Sequence, residues 1–240
     1  MKRDAIEERL ARNGIPFAEE LPRKLETWLS LLMEWNGRMD LVAEAPEEEL
    51  FDRHMIDSLT VLKTGLLPRA GSLIDVGTGA GFPGMALALA RPDLRVTLLD
   101  SQQKRLNILR ETAEKTGAEN VTLVHARAED AARKPELREG FDAAVARAVA
   151  PLNILCEYLL PFVKVGGYAL CWKGPAAGEE AEDGAFAAEK LGGRLEPFIE
   201  MPQQGTRHVL VPVFKIEKTL PQYPRKNGIP AKRPLKSGKK

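Results

Sequence analysis

The residues with the clearest chemistry lie in LIDVGTGAGFPG at Leu73–Gly84, where an apolar run ends on the carboxylate of Asp75 and glycines follow. Those glycines are Gly77, Gly79, Gly81 and Gly84. Glycine permits positive φ and lets a ligand approach the bare backbone. The Ala/Leu-rich run that follows predicts a helix, whose first N–H groups lack intrahelical partners. A strand, a glycine turn and a helix start in this order predict a cradle for a nucleotide-type cofactor.

The type of cofactor depends on Asp75. Gly79–Gly84 matches the GxGxxG spacing of dinucleotide-binding proteins. A carboxylate at the strand end, however, would repel a pyrophosphate and attract a cation, such as the ammonium or sulfonium of S-adenosylmethionine. The alternative role for Asp75 is to cap the following turn. Asp100, at the end of the next predicted strand, is placed to accept ribose hydroxyls of either cofactor and does not discriminate between them.

Two further positions follow predicted strands. Ala128 and Glu129 come after the third strand, where backbone N–H groups and a small side chain would contact the edge of an adenine ring. An ordinary helix start, with acids in its first turn, is the alternative. No GxxxxGK[ST] motif is present, which excludes a Walker-type phosphate loop.

A protein that binds S-adenosylmethionine would transfer its methyl group, and the motifs that are absent from the sequence indicate the acceptor. The ARAV segment at 146–149 follows the fourth predicted strand, in place of the Asn/Asp-Pro-Pro-aromatic clamp that enzymes acting on exocyclic amines usually carry. Attack at pyrimidine C5 needs a thiolate, but Cys156 and Cys171 lie in apolar stretches that predict buried, free thiols. Guanine N7 has an in-plane lone pair, so positioning and charge can suffice there.

Three cations are expected around the reaction pocket, namely Arg127, Arg147 and Lys173. They would grip RNA phosphates or guanine O6, and we list them as candidate catalytic residues. For each arginine the alternative is a solvated charge at a strand end, and for Arg127 we favour this alternative. Arg147 lies within AAVARAVAPL, an apolar stretch in which an unpaired cation would be costly.

The periodicity of apolar residues gives the elements that must position these side chains. A stripe from Leu21 to Trp35 and a second helical run after Pro46 predict a helical N-terminal cap over residues 1–70. His54 and Asp57 on the second helix either form a wall of the site or merely dock the helix. Beyond residue 71, strands and helices alternate, which predicts a doubly wound, mostly parallel sheet with the ligand at the strands' carboxyl ends.

Seven strands are predicted in the domain of residues 71–216. They are Leu73–Val76, Arg95–Leu99, Val121–His125, Phe141–Ala146, Gly166–Trp172 and a final pair, Leu195–Glu200 and Arg207–Phe214, joined by a turn at Gln203–Gly205.

The overall charge hides a basic C-terminus. The chain has a formal net charge of +1, yet Lys215–Lys240 holds nine Lys and Arg against one acid, Glu217. A basic tail over residues 217–240 on an acidic body suggests an anionic partner, with nucleic acid the first candidate. For the last five residues a merely solubilising end is the alternative. The charged N-terminus, the absence of long apolar runs and the scattered histidines predict a cytoplasmic protein without membrane span or metal.

The chain also resembles a known family, the bacterial small-subunit ribosomal RNA guanine-N7 methyltransferases, formerly called glucose-inhibited division protein B. The stretches that carry the resemblance are WN at Trp35-Asn36, HMIDSL at His54–Leu59, DVGTGAGFPG at Asp75–Gly84, LLDSQQKR at Leu98–Arg105, RAED at Arg127–Asp130, ARAVAPL at Ala146–Leu152, WKG at Trp172–Gly174 and YPRKNGIP at Tyr223–Pro230.

The resemblance implies a Rossmann-like class I methyltransferase fold and transfer of a methyl group from S-adenosylmethionine to N7 of a guanine in 16S ribosomal RNA. The cofactor contacts that it implies are Gly77, Phe82, Ala128, Glu129 and Arg147. A monomer acting on 16S RNA or the small ribosomal subunit is expected. Two other functions remain open from the residues alone: an NAD-linked oxidoreductase using the same glycine turn, and a non-catalytic RNA-binding factor.

Overall fold

A twisted β-sheet is the centre of the computed structural model, which describes residues 1–203 and 206–238. Its strands are β1 (Gly71–Val76), β2 (Leu94–Asp100), β3 (Val121–His125), β4 (Phe141–Arg147), β5 (Val163–Lys173), β6 (Gly193–Leu195), β7 (Ile199–Gln203) and β8 (Thr206–Lys215). The strand order is β3-β2-β1-β4-β5-β8, with β6 and β7 also paired to β8. Strands β1 to β5 pair in parallel, and β8 pairs antiparallel with its neighbours. The predicted doubly wound, mostly parallel sheet is confirmed.

The seventh place in the sheet is shared by two short strands. Strand β6 pairs with the end of β8 near Lys215, and β7 pairs with its beginning near Leu210. The sequence predicted one continuous strand, Leu195–Glu200, and this is wrong. Pro197 has no backbone N–H to donate, so the ladder breaks between Leu195 and Ile199. Residues 204 and 205 of the predicted turn lie outside the described residues.

Strand β5 also differs from the predicted strand Gly166–Trp172, because it begins earlier. The strand begins at Val163, and its register against β4 shifts between Phe141 and Ala143. Gly166 (φ +88°) and Gly167 therefore lie in a bulge within the strand. A bulge of this kind keeps the strand going while bending it.

The helices flank the sheet and precede it. The N-terminal region contains α1 (Arg3–Arg12), α2 (Leu21–Asn36), α3 (Glu47–Leu50), a π-helical turn (Phe51–Ile56), α4 (Asp57–Leu59) and a 3-10 turn (Thr60–Lys63). The sheet region contains α5 (Gly84–Ala90), α6 (Gln103–Thr116), α7 (Ala128–Ala131), α8 (Leu152–Leu159), a 3-10 turn (Leu160–Phe162), a second 3-10 turn (Pro175–Glu180) and α9 (Ala181–Lys190), and α10 (Ile229–Lys232) follows β8. No helix of the described residues is long and apolar enough to cross a membrane.

Each face of the sheet has its own hydrophobic core, because successive strand side chains alternate between the faces. Leu73 of β1 packs with the N-terminal helices, including Trp28 and Phe51, whereas Ile74 packs on the other face around α8 and α9. The N-terminal helices therefore cover one face of the sheet and share its core. This packing fixes the helix that carries His54 and Asp57 against the sheet.

Candidate functional site

The end of β1 and its glycine turn are organised by Asp75, which is fully buried. Its Oδ2 accepts hydrogen bonds from Thr78 Oγ1 at 2.7 Å and from the Gly84 N–H at 2.8 Å. Within the described residues, Oδ1 has no hydrogen-bond partner. Burial raises the pKa of Asp75 to about 6 despite these bonds. Asp75 thus caps the turn with one oxygen, and its other oxygen is buried without a partner among the described residues.

The glycines of the turn have two different tasks. Gly77 (φ +75°) and Gly79 (φ +57°) have the left-handed backbone that the turn requires, and a Cβ on Gly77 would lie 3.0 Å from Val149 Cγ2. Gly81 faces the protein interior, where a Cβ would meet Leu109 Cδ2 at 2.8 Å. Gly81 was predicted to bind the cofactor, but the structure gives it a packing role.

Phe82, also predicted to contact the cofactor, lies beneath the site. Its ring stacks between Trp28 (centroids 4.7 Å apart) and His54 (5.1 Å), and it is buried. Neither of the two cavities described below has Phe82 in its wall. Its position supports the ring of His54 and the guanidinium of Arg147, whose Cζ is 5.0 Å from the Phe82 centroid.

A first cavity of about 260 Å³ opens at the carboxyl ends of β1, β2 and β3. Its wall includes Gly77, Asp100, Arg127, Ala128, Glu129, Ala148, Val149 and Tyr158. Four of the nine residues predicted to hold the cofactor, Gly77, Asp100, Ala128 and Glu129, therefore meet in one place, whereas Asp75 is not part of this wall. Gly79 adjoins this wall through its N–H, which donates to Asp100 Oδ2 at 2.9 Å.

Asp100 is almost completely buried in that wall. Besides the Gly79 N–H it accepts the Gln102 N–H through Oδ1 at 2.8 Å. An ionised carboxylate has about four lone-pair sites, so both oxygens retain capacity for the hydroxyls of a ribose. The two backbone bonds fix the orientation of the carboxylate at the edge of the glycine turn.

The opposite end of the first cavity belongs to α7. Glu129 is buried, and its Oε1 accepts the Gly228 N–H at 2.9 Å from the C-terminal segment. Ala128 begins the helix beside it. Arg127 is exposed and lines this same cavity, so the structure separates it from Arg147, with which the sequence had grouped it.

A second cavity of about 510 Å³ lies next to the first. Its wall consists of Arg53, His54, Arg147, Ala148, Trp172, Lys173, Gly174 and His208. Ala148 lines both cavities, and its φ of +56° is unusual for a residue with a Cβ. Strain of this kind collects at functional sites, and here it marks the point where the two cavities meet.

Arg147, at the end of β4, is held by three partners. Its Nη1 donates to Asp57 Oδ2 at 2.9 Å and to the Arg53 carbonyl at 3.1 Å, and its Nη2 donates to His54 Nδ1 at 2.8 Å. Asp57 is fully buried, so it compensates the Arg147 charge at low dielectric. The sequence argument that this arginine needs a partner is confirmed.

His54 is a neutral part of this network. Burial, followed by the nearby Arg147 charge, lowers the pKa of His54 to about 3. Because Arg147 donates to Nδ1, we assign the ring proton to Nε2, which is buried and has no partner among the described residues. This helix docks on the sheet, as one interpretation of the sequence predicted, and His54 also lines the second cavity.

His208 is the site residue that sequence reasoning missed. Its Nδ1 lies 2.9 Å from Asp57 Oδ1, across 151 positions of the chain, and its ring lines the second cavity. The only available signal was topological, because β8 pairs with β5 and so brings His208 close to Lys173. Nothing in the residue spacing indicates this pairing.

Lys173 lies where the sequence placed it, at the end of β5, but its charge is paired. Its Nζ forms an ion pair with Glu180 Oε2 at 2.7 Å and donates to the Ala150 carbonyl at 3.1 Å.

In the part of the chain that the structure describes, no group of three or more His, Cys, Asp or Glu could hold a metal ion. The two cysteines are free and buried, as predicted, and burial raises the pKa of Cys171 to about 12.

The first cavity fits a nucleoside with a cationic end. Gly77 and Asp100 lie in its wall, and Asp100 supplies acceptors for a ribose. Asp75 is bonded to the same glycine turn but is not in the wall, and one of its buried oxygens has no partner among the described residues. Two carboxylates beside the glycine turn would disfavour a pyrophosphate at the same place. These features match S-adenosylmethionine better than a dinucleotide.

Comparison with known proteins identifies the family. The family model described as rRNA small subunit methyltransferase G matches residues 22–210. Proteins named ribosomal RNA small subunit methyltransferase G from Alkaliphilus metalliredigens and Clostridium perfringens are 46% and 45% identical to this chain, and each alignment covers 93% of this chain and 94% of the relative.

Solved structures show the same fold at low identity. A variant of MtNAS in complex with S-adenosylmethionine matches with a TM-score of 0.55 at 17% identity, over 81% of this chain and 75% of its own. A 16S rRNA (adenine(1408)-N(1))-methyltransferase from Catenulisporales acidiphilia matches with a TM-score of 0.51 at 18% identity, over 62% and 87%. The sheet is thus of the Rossmann-like class I methyltransferase type, and the chain belongs to the rRNA small subunit methyltransferase G family.

Proposed function

We propose that the protein transfers a methyl group from S-adenosylmethionine to N7 of a guanine in 16S ribosomal RNA. The observation that carries the proposal is the junction of two cavities at Ala148, one suited to the methyl donor and one lined by paired cations. Its relatives, named as small-subunit ribosomal RNA methyltransferases, support RNA as the acceptor. We expect a cytoplasmic monomer, acting on the RNA or on the small subunit.

The first cavity takes the donor. Asp75 Oδ1 would accept the ammonium of the methionine end, with Gly77 and Gly79 beneath it, and Asp100 would accept the ribose hydroxyls. Ala128 and Glu129 would contact the adenine edge. S-adenosylmethionine supplies an electrophilic methyl group when it is bound, and its sulfur takes the bonding pair as the methyl leaves.

The second cavity takes the guanine. N7 attacks with a lone pair that lies in the plane of the ring, so no proton has to be removed first, and the site mainly has to hold the base in line. Three of the five N–H groups of Arg147 bind Asp57, Arg53 and His54, which leaves others to donate to guanine O6. His208 presents its remaining ring nitrogen to the base.

The charge of this cavity suits the product. Methylation at N7 leaves a positive charge on the guanine. Arg147 is neutralised by Asp57, Lys173 by Glu180, and His54 is uncharged. The cavity therefore offers hydrogen-bond donors without an uncompensated positive field that would oppose the developing charge.

The test is the incorporation of tritium from methyl-labelled S-adenosylmethionine into 16S RNA and into small subunits that lack the modification. We expect label in RNA, recovered as N7-methylguanosine after digestion to nucleosides. Label confined to protein or to small molecules would refute the RNA acceptor, and label at another base atom would refute N7. A thermal shift with NADH and none with S-adenosylhomocysteine would favour the oxidoreductase.

A further inference from the structure

The C-terminal segment, defined here as residues 217–238, is folded against the sheet domain rather than extended from it. Arg138 Nη1 donates to the Tyr223 carbonyl at 2.9 Å and Nη2 to the Thr219 carbonyl at 2.8 Å. Farther along, Asn153 Nδ2 donates to the Leu235 carbonyl at 2.8 Å. The backbone of the segment is thus fixed at its beginning and its end.

The strongest of these attachments is an ion pair with α8. Arg225 donates to Glu157 through Nε (2.9 Å) and Nη2 (2.6 Å), and its backbone N–H donates to Glu157 Oε1 at 2.7 Å. The Glu157 side chain is 1% exposed. Such bidentate pairs fix orientation as well as charge. The next residue on α8 is Tyr158, whose side chain lines the first cavity.

A second attachment reaches the cavity directly. The Gly228 N–H donates to Oε1 of Glu129 at 2.9 Å, from a backbone with φ of +76° that favours glycine. Glu129 is buried and lines the first cavity. Two residues at the same end of the cavity are therefore held, one directly and one through its neighbour, by a stretch of four residues, Arg225–Gly228.

We propose that the C-terminal segment is a structural part of the S-adenosylmethionine site, in which Arg225 is a positioning residue that sets Glu129 and Tyr158 for the adenine end of the cofactor. This inference rests on the proposed function and deepens it. It also revises the role of the basic tail. The sequence suggested a basic tail over residues 217–240 for an anionic partner, whereas these contacts predict that its removal would also weaken cofactor binding.

The charged residues in the segment and next to it fall into two groups, those paired against the sheet domain and those exposed to solvent. Lys215, just before it, is buried and donates to the Leu160 carbonyl at 2.9 Å, and Arg225 is paired with Glu157. Lys226 and Lys232 are exposed. Within one short stretch, Arg225 is half-buried against Glu157 and Lys226 is exposed. This adjacency provides a matched pair of substitutions with the same change in charge.

The experiment measures the Kd of S-adenosylhomocysteine by calorimetry and the steady-state constants for both substrates, using the full chain. Arg225→Gln should raise the Kd of S-adenosylhomocysteine at least about tenfold, which corresponds to about 1.4 kcal/mol of binding free energy. It should raise the KM for S-adenosylmethionine to a similar degree, while kcat and the KM for RNA change less than about threefold. Lys226→Gln should leave the S-adenosylhomocysteine Kd within twofold and weaken RNA binding with a shallower salt dependence.

A double variant separates positioning from loss of stability. Arg225→Gln leaves the Glu157 carboxylate buried without its partner, which destabilises the fold. Arg225→Gln with Glu157→Gln removes both charges, so the melting temperature should recover while the tenfold weakening of S-adenosylhomocysteine remains. Arg225→Lys keeps the charge but cannot make the bidentate contact of the guanidinium, so its affinity for S-adenosylhomocysteine should be intermediate.

The outcomes are distinct. An S-adenosylhomocysteine Kd within twofold of the wild type in both Arg225→Gln and the double variant would overturn the positioning role. An equal rise of the KM for S-adenosylmethionine and the KM for RNA in Arg225→Gln would also overturn the positioning role and indicate general destabilisation. If the wild-type protein itself fails to bind S-adenosylhomocysteine, the proposed function fails, and the inference fails with it.

Discussion

The two cavities that meet at Ala148 differ in the groups that form their walls. The wall of the first includes the Gly77 backbone and two buried carboxylates, Asp100 and Glu129, that accept backbone N–H groups. The second is bounded by side chains that hold one another. The difference suggests that the first site tolerates changes in side chains outside its carboxylates, whereas the second loses its shape when any member of its network is removed.

Arg147→Ala should have the largest effect, because it removes the centre of the second cavity. Among the described residues, it leaves the buried Asp57 carboxylate with His208 as its one remaining side-chain partner. Breaking a buried pair costs about 3–5 kcal/mol of folding stability, and loss of a key donor lowers turnover by about 10²–10³-fold. Thermal unfolding and single-turnover methyl transfer measure the two effects.

The sequence also assigned Arg147 to the cofactor, but in the structure this side chain lines only the second cavity. The S-adenosylhomocysteine Kd of Arg147→Ala decides between the assignments. A change below about threefold would place Arg147 with the acceptor alone. A loss of tenfold or more would show that the two cavities are not separate in function.

Asp75→Asn should act on the first cavity. The amide cannot offer the ionised oxygen that a cationic ligand needs, so S-adenosylhomocysteine should bind about 10- to 100-fold more weakly, as expected for a charge-assisted bond of about 1.5–3 kcal/mol. Turnover at saturating cofactor should change much less. If Asp75 serves only to cap the turn, the Kd would stay within threefold, because an amide oxygen can still accept the Gly84 N–H.

The pH dependence of cofactor affinity follows from the same residue. Burial raises the pKa of Asp75 to about 6, so between about pH 4 and 6 the free folded protein holds a proton that the unfolded chain has released. Stability contributed by this group therefore falls as the pH rises through that window. A cationic ligand binds the ionised form, so its affinity should fall as the pH drops below about 6, and Asp75→Asn should abolish this dependence in calorimetric titrations.

His208→Gln tests the residue that only the fold brings to the site. It removes one partner of Asp57 and one ring nitrogen from the second cavity. We expect turnover on RNA to fall about tenfold, with the S-adenosylhomocysteine Kd unchanged. Val209→Ala, at the next position of β8, is the control for local packing. Equal losses in the two variants would mean that His208 acts only through packing.

Arg127→Gln should have the smallest effect. Its side chain is exposed at the mouth of the first cavity. If it contacts a phosphate, the slope of log affinity against log salt should become shallower by somewhat less than one, with a loss of about two- to threefold near physiological salt. An unchanged slope would confirm the alternative of a solvated strand-end charge.

Part of the wall of the first cavity was predictable from sequence because it lies at strand ends. A strand that ends on Asp75, a glycine turn and a second strand that ends on Asp100 give positions at one edge of a parallel sheet. Gly81 and Phe82, also predicted to contact the cofactor, lie outside the wall and pack against Leu109 and Trp28, which are distant in sequence.

The second cavity and the C-terminal segment were not predictable in the same way. The bonds that define them join residues such as Asp57 and His208, or Glu157 and Arg225, which are separated by 151 and 68 positions. Such pairs have no periodicity or local spacing to reveal them. The need of Arg147 for a partner was predictable, but the identity of that partner was not.

The most direct test of a donor cavity joined to a guanine cavity is single-turnover methyl transfer with nucleotide-resolution mapping of N7-methylguanine in 16S RNA, for the wild type, Asp75→Asn and Arg147→Ala. We expect one modified guanine for the wild type. Saturating S-adenosylmethionine should largely restore the rate of Asp75→Asn but not that of Arg147→Ala. Restoration of both variants by excess cofactor, or the absence of N7-methylguanine with the wild type, would refute a donor cavity joined to a guanine cavity.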